Sequence, residues 1–553
     1  MRNSPRRWLY AVWLFLICSF AMLHALNLRA DFPHPSPWLF DGAMYTDEGW
    51  WGSAAIRAHL SGNWYLPGDY NPAPAAPIWP FLEWILFFFT GVSVTAARGL
   101  AVAFFFANLL LSYLLLRASG PRWVALVALS LMVTSPFLYA FSRLAILEPM
   151  LMTFTLAALN LAVRLPRLRR PVWVSVAIGL LFTLMILTKT SAVFLLPALG
   201  WAILLPLWKN RKLALRCALS AAASSAVTFG LWMTLVVSSG MLREFRNFFS
   251  MNRFSRPKEF YLQLHHLLGV FHTAWMADHI LIPLAALVLL GATWTWRSAW
   301  GRKLLLDPVF GASVWAVAGY VLYMTYNDNH PPRYFAVVAV FCFLVVAQGA
   351  GALLSQTAPP QESDTKQDPK RLTASAMVRQ PLTQLSCWAV IALAALAAGI
   401  NGARTIKYAA HPEYTFVNAA QQLTQFIDDH PNGKRLLVSI GGDEISLLTG
   451  LPALRAPEAE GPWSSIQGSP SNFVHYQPGW YAVWNIVNPG TLEILHTHFS
   501  LEQVASFHAF DLPDRNLLVL FKLRPLPAGQ VRDPATQNLR VPLPGDEIDI
   551  PIR

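Results

Sequence analysis

Pro77-Ile-Trp-Pro-Phe-Leu-Glu-Trp-Ile-Leu-Phe-Phe-Phe-Thr-Gly91 is apolar enough to enter a bilayer, yet it is short, broken by Pro80 and carries Glu83. A helix that crosses needs about 20 predominantly apolar residues. Whether this stretch crosses sets the side of every loop after it, and the basic residues decide the matter. Lys and Arg collect on the cytoplasmic ends of spans. With Arg2, Arg6 and Arg7 inside and 77–90 not crossing, Arg117 and Arg122 fall inside, as do the cluster Arg164-Leu-Pro-Arg-Leu-Arg-Arg170 and Lys209-Asn-Arg-Lys212. Arg297, Arg302 and Lys303 follow them. Were 77–90 to cross, the 164–170 cluster would lie outside. The stretch therefore reads as an interfacial or re-entrant helix, and the chain as one of about eleven spans.

Composition agrees with repeated crossing. Of 553 residues, 55% are hydrophobic and 13% charged, where soluble domains carry about 25% charged residues. The mean hydropathy is +0.40. The net charge of +12 sits in short clusters between apolar runs, which is a topology signal rather than a face for reading phosphates, so nucleic acid is not an expected partner. Cys18, Cys217, Cys342 and Cys387 all lie in apolar runs without metal-ligand or disulfide spacing. The run Trp8–Leu26 is too long for a signal peptide and reads as an uncleaved first span.

Taken in order, the first span leads to an outside segment, 29–76. Later spans are expected at about 95–116, 123–141 and 149–163, then five and six flanking Thr188-Lys-Thr190, and seven at about 214–238. A basic outside loop, 241–278, follows, and it is the one clear exception to the charge rule. Span eight returns inside, nine leads out to Tyr326–Tyr334, and ten precedes a polar cytoplasmic linker, 356–382. Span eleven is placed at about 384–400. The membrane domain is thus 1–403. Residues 404–553 are too polar to cross and read as a small extracytoplasmic α/β domain. In it Thr415–Asp429 has helical spacing, Lys434–Ile440 reads as a strand followed by a Gly441-Gly442 turn, and Asn516–Lys522 reads as another strand. The Pro-rich tail after Leu523 reads as extended.

This topology brings separated polar groups to one face of the membrane: Asp47 and Glu48, Arg143 and Glu148, Lys189, the loop carrying Arg253 and His265, and Arg333 with Tyr334. Ionisable residues at span ends are costly and mark substrate pathways. Each has a plainer reading. Asp47 and Glu48 suit solvated loop acids, or a general base for an acceptor hydroxyl or amine. Glu148 suits a helix N-terminal charge, with Arg143 its ion-pair partner. Lys189 suits a snorkelling amine or a point charge for a lipid phosphate. Arg333 and Tyr334 suit an interface anchor or a phosphate fork. His265, His266 and His272 match no zinc spacing.

The order of these features resembles the GT-C membrane glycosyltransferases, in the protein O-mannosyltransferase-like branch that includes the lipid A aminoarabinose transferases. The pieces that carry the resemblance are Asp47-Glu48 with Ala55-Ile56-Arg57, Gly62-Asn-Trp-Tyr65, Pro77–Trp84, Gly91-Val-Ser93, Arg98, Ser142-Arg143, Leu147-Glu148-Pro149, Leu187-Thr-Lys189 and Arg333-Tyr334. They cover about residues 8–355. The resemblance implies a GT-C-type helical membrane domain and an inverting transfer of sugar from a polyprenyl-phosphate donor to an extracytoplasmic acceptor, at a bacterial inner membrane with the N-terminus cytoplasmic. It implies Asp47 as catalytic base, with Glu48 and Glu148 orienting the acceptor or joining Asp47 around a divalent metal ion. Arg143, Lys189, Arg333 and Tyr334 are implied at the donor phosphate, and Arg57, Arg253 and His265 at substrate. Glu148 stands where the family has Asp, and the Pro77 stretch lacks the Glu-Lys-Pro form of the aminoarabinose branch. The competing readings are a transporter or flippase of lipid-linked sugars and a non-catalytic relative; the inverted repeats common in transporters are not seen.

Overall fold

A computed structural model describes residues 5–39, 41, 47–66, 71–251, 260–327, 331–357, 374–439, 441–455, 476–484, 495, 496, 498–510, 516–526, 538–542 and 547–551. Apolar runs become helices because a bilayer leaves backbone groups no partner but each other. The N-terminal run forms α1 (Pro5–Leu23), and α2 (Asp47–Ser61) opens on the two acids. The deciding stretch forms α3 (Ile78–Thr90), whose 13 residues rise about 20 Å, short of a hydrocarbon core of about 30 Å. Then come α4 (Val94–Ser119), α5 (Arg122–Thr134), α6 (Pro136–Ser142), α7 (Glu148–Ala162) and α8 (Pro171–Thr188). A 3-10 turn over Thr190–Leu195 runs into α9 (Leu196–Leu204), followed by α10 (Arg211–Ser238), α11 (Leu242–Met251), α12 (Phe260–Ala277) and α13 (Leu281–Trp294). The membrane part ends with α14 (Ala299–Leu305), α15 (Pro308–Tyr326), α16 (Phe335–Thr357) and α17 (Ala374–Ala410).

Among the described residues six stretches are long and apolar enough to cross, or eight if two bent pairs each count as one span. The chain is an integral, multi-pass membrane protein. The count of eleven is not reached by this measure, for physical reasons. The expected span at 123–141 is broken between α5 and α6 by 69°, where Ser135 caps the new helix and Pro136 opens it. Between α12 and α13 the chain turns by 115°, and Asp278 accepts the Ile280 and Leu281 N–H groups at the corner. The stretches 7–23, 78–90 and 190–204 are apolar but short. α16 is the central post, with 89% of its apolar window buried, against 17% for α10. On α10, Leu215, Leu219, Val227, Leu231 and Leu235 are exposed, as lipid-facing residues are.

The expected boundary at 403/404 falls inside α17, which runs unbroken to Ala410. The linker expected at 356–382 lies largely outside the described residues, and α17 begins within it at Ala374. Beyond α17, α18 (Thr415–Asp429) and β1 (Lys434–Ser439) form where expected. Gly441-Gly442 is not a simple turn but the start of a helix, α19 (Gly442–Thr449). The strands β2 (Ala453–Arg455), β3 (Pro478–Trp484), β4 (Phe499–His508) and β5 (Leu517–Pro525) complete a mixed sheet of order β2-β1-β3-β5-β4. β1 is parallel to β2 and β3; β5 is antiparallel to β3 and β4. Every residue of β3 is buried, because both sheet faces are covered. α18 packs Phe416 on Trp484 on one face, and Leu66 of the first loop packs with Tyr481 and Phe521 on the other. Within the tail read as extended, β6 (Asn538–Pro542) and β7 (Glu547–Pro551) pair antiparallel.

Candidate active site

Asp47 is the first residue of α2, where helix-end N–H groups are unsatisfied and negative charge is favoured. Its Oδ2 lies 2.5 Å from Arg333 Nη2, and its side chain keeps 15% of its surface exposed. Arg333 sits in a 3-10 turn just before α16. The same guanidinium pairs through Nη1 with Asp41, and the Arg333 backbone N–H donates to Asp41 Oδ2 at 2.8 Å. One arginine therefore joins the first acid of α2 to an acid of the first loop. Sequence reasoning passed over Asp41; its only signal was being another carboxylate in the segment 29–76.

A second ion pair stands beside the first. Glu148 opens α7 and pairs with Lys189, the residue after α8. The Lys189 ammonium lies 3.6 Å from the centre of the Tyr334 ring, and the Arg333 guanidinium lies over the same ring at 5.3 Å. Asp47, Glu148, Lys189, Arg333 and Tyr334 are thus brought together from four separated stretches. The partner expected for Glu148 is corrected: Lys189 takes that place. Arg143 instead binds the Tyr139 hydroxyl and the carbonyl of Asn27, tying α6 to the loop after α1.

Glu48 has a different job from Asp47. It is fully buried, and its carboxylate takes Arg98 Nε at 2.7 Å, Arg98 Nη2 at 2.5 Å and the Ala145 N–H at 2.7 Å. Arg98 also donates to the carbonyls of Leu28 and Ala30. A carboxylate so enclosed anchors α2 to α4 and cannot reach an acceptor in this arrangement. Behind it, Glu83 of α3 is also fully buried. Its carboxyl lies against Gly52, where an added Cβ would meet Glu83 Oε2 at 2.1 Å and push the side chain aside.

Asp47, Glu48 and Glu148 each face a cation, and among the described residues no group of three or more His, Cys, Asp or Glu is placed to hold a metal ion. Arg57 is buried and pairs with Asp443 of the C-terminal domain, Nη2 to Oδ1 at 3.2 Å. His265 is exposed on α12. Arg253 lies outside the described residues.

With this geometry in view, the relatives are informative. The profile of the family described as dolichyl-phosphate-mannose-protein mannosyltransferase matches residues 74–242. The structure superposes on ArnT from Cupriavidus metallidurans in the apo state with a TM-score of 0.57 at 15% identity, over 92% of this chain and 98% of ArnT. For ArnT bound to undecaprenyl phosphate the TM-score is 0.54, with the same identity and coverage. The chain has the GT-C fold. The profile match and the superposition on ArnT both agree with the resemblance read from the sequence. The archaeal oligosaccharyltransferase AglB from Archaeoglobus fulgidus, in complex with an inhibitory peptide and a dolichol-phosphate, superposes less closely, with a TM-score of 0.44 at 13% identity over 89% of this chain and 73% of AglB. A search of curated proteins by sequence found no match.

Proposed function

We propose that the chain is an inverting glycosyltransferase that moves a sugar from a polyprenyl-phosphate donor to an extracytoplasmic acceptor, whether a glycolipid, a polysaccharide or a protein. The observation that carries this reading is the cluster at the head of α2. A partly exposed carboxylate, Asp47, stands beside two cations, Arg333 and Lys189, at the ends of membrane helices. In an inverting transfer the acceptor oxygen attacks the anomeric carbon from the face opposite the phosphate. Its proton goes to Asp47, the bond from that carbon to the phosphate oxygen breaks, and the electron pair leaves with the phosphate. Fixed cations stabilise the charge that develops there.

Charge counting refines the roles. Among the described residues, Asp41, Asp47 and Glu148 against Arg333 and Lys189 give three negative and two positive charges, a surplus of one negative. That surplus means that a donor phosphate must compete with Asp41 or Asp47 for Arg333, or meet a further cation, a part assigned to Arg253. Glu148 holds Lys189 in place. The N-terminus is assigned to the cytoplasmic side of a bacterial plasma membrane, and the site and the C-terminal domain to the opposite side. The test offers purified protein in detergent a panel of radiolabelled polyprenyl-phosphate sugars with a membrane glycolipid extract. Acceptor-dependent release of polyprenyl phosphate supports the reading; release by no member of the panel refutes it.

A further inference from the structure

The C-terminal domain reaches into the head of the catalytic helix. α19 packs on α2 with its first turn against the first turn of α2. The approach is backbone to backbone: a Cβ on Gly49 would lie 2.3 Å from the Asp443 carbonyl carbon and 2.4 Å from the Glu444 nitrogen. Two helix N-termini meeting in this way carry about half a positive charge each and repel. The two acids in the first turn of α19 answer that repulsion. Glu444 Oε2 accepts the Gly49 N–H at 2.7 Å, one of the donors that a helix start leaves without an internal partner. Asp443 takes Arg57, eight residues or about 12 Å further along α2. Both acids are buried, Glu444 completely. The contact is reciprocated: Asp31 of the first loop accepts the Phe416 N–H at 2.8 Å and the Val417 N–H at 3.3 Å, capping α18 of the domain.

We infer that Glu444 is a positioning residue for Asp47: from the C-terminal domain it caps the first turn of α2 and fixes the backbone from which the Asp47 carboxylate meets the acceptor. This rests on the glycosyltransferase reading above. A domain that merely sits on the membrane part needs no buried carboxylate aimed at an amide two residues from the base. The domain is thereby part of the catalytic apparatus, and its removal or displacement would slow transfer without touching the donor's lipid contacts.

The test compares Glu444→Ala with Glu444→Gln in the full-length protein. The glutamine oxygen still accepts the Gly49 N–H. Hydrogen exchange is read on the peptide carrying Gly49, and kcat and donor KM are read in the transfer assay. The expected result for Glu444→Ala is exchange about 10-fold faster, one hydrogen bond's worth. Its kcat falls about 10- to 100-fold at little-changed donor KM, and Glu444→Gln recovers most of both. If Glu444→Ala does not fold, Glu444→Asp, which withdraws the carboxylate by one methylene, carries the same comparison. Unchanged exchange overturns the cap. Faster exchange with unchanged kcat overturns the positioning role. A wild-type protein that turns over no donor overturns the function reading and its Asp47 half, while exchange still decides whether the cap exists.

Discussion

Replacing Glu48 by Gln tests whether that residue anchors α2 or touches substrate. Its Oε1 takes both Arg98 Nε and the Ala145 N–H, and its Oε2 takes Arg98 Nη2 at 2.5 Å. A glutamine with its oxygen at the Oε1 position keeps the first two contacts but sets an NH2 against Nη2, donor against donor. Arg98, 2% exposed, keeps the glutamine oxygen at Nε and the carbonyls of Leu28 and Ala30 but loses the carboxylate it pairs with. Breaking a buried pair in this way costs about 3–5 kcal/mol, a large share of a total stability of about 5–15 kcal/mol. An internal control is Asp428, whose pair with Arg435 is 2.6 Å long but 43% and 48% exposed; Asp428→Asn should cost about 0–1 kcal/mol. The assay is the apparent unfolding temperature in detergent, followed by tryptophan fluorescence. A Glu48→Gln protein as stable as Asp428→Asn, yet inactive, would refute the anchoring argument and return Glu48 to the acceptor.

The other predictions concern pH and the cations. Burial pushes the Asp31 carboxyl up to about 6, against the opposing pull of the Phe416 and Val417 N–H groups. The unfolded group titrates near 3.9, so the folded state holds the extra proton between the two values. The resulting stabilisation is fully present below pH of about 3.9 and lost as pH rises through 6, a change of about 3 kcal/mol at most. The unfolding temperature should therefore fall between pH 5 and 7.5, and Asp31→Asn should flatten that fall; an equal slope in the mutant contradicts the assignment. Lys189→Ala and Arg333→Ala should each lower kcat by about 100-fold or more. Arg333→Ala should cost the more, since it also frees Asp41 and Asp47. Kinetics with the donor identified in the panel assay check both, and near-normal kcat in either removes that cation from the phosphate.

How much of this was legible in the sequence depends on which residues hold the partners. Spans were visible wherever an apolar run was long and uninterrupted, as in α4, α10 and α15. The bend at Ser135-Pro136 is not visible in hydropathy, and the stretch 241–278, read as a loop, holds the helices α11 and α12. The gathering of Asp47, Glu148, Lys189 and Arg333 followed from topology, because loops on one side of a bilayer share little space. Their pairing did not follow. Choosing Lys189 over Arg143 for Glu148, or finding Arg98 for Glu48, depends on helix rotation and tilt, which hydropathy does not encode. The acids Asp443 and Glu444 were least visible, since two adjacent carboxylates after a Gly-Gly pair look like a solvated turn. Only the packing of α19 on Gly49 turns them inward.

The central claim is that Asp47 takes the acceptor's proton, and the most direct measurement is single-turnover transfer by Asp47→Asn beside wild type. Asparagine keeps the size of the side chain and a hydrogen-bond acceptor for Arg333 but has no basic carboxylate. The account predicts donor binding within a few-fold of wild type, an unfolding temperature close to it, and a rate of polyprenyl-phosphate release lower by about 100- to 10,000-fold, the range of general-base catalysis. Release at the wild-type rate with donor binding intact would contradict it and place the base elsewhere.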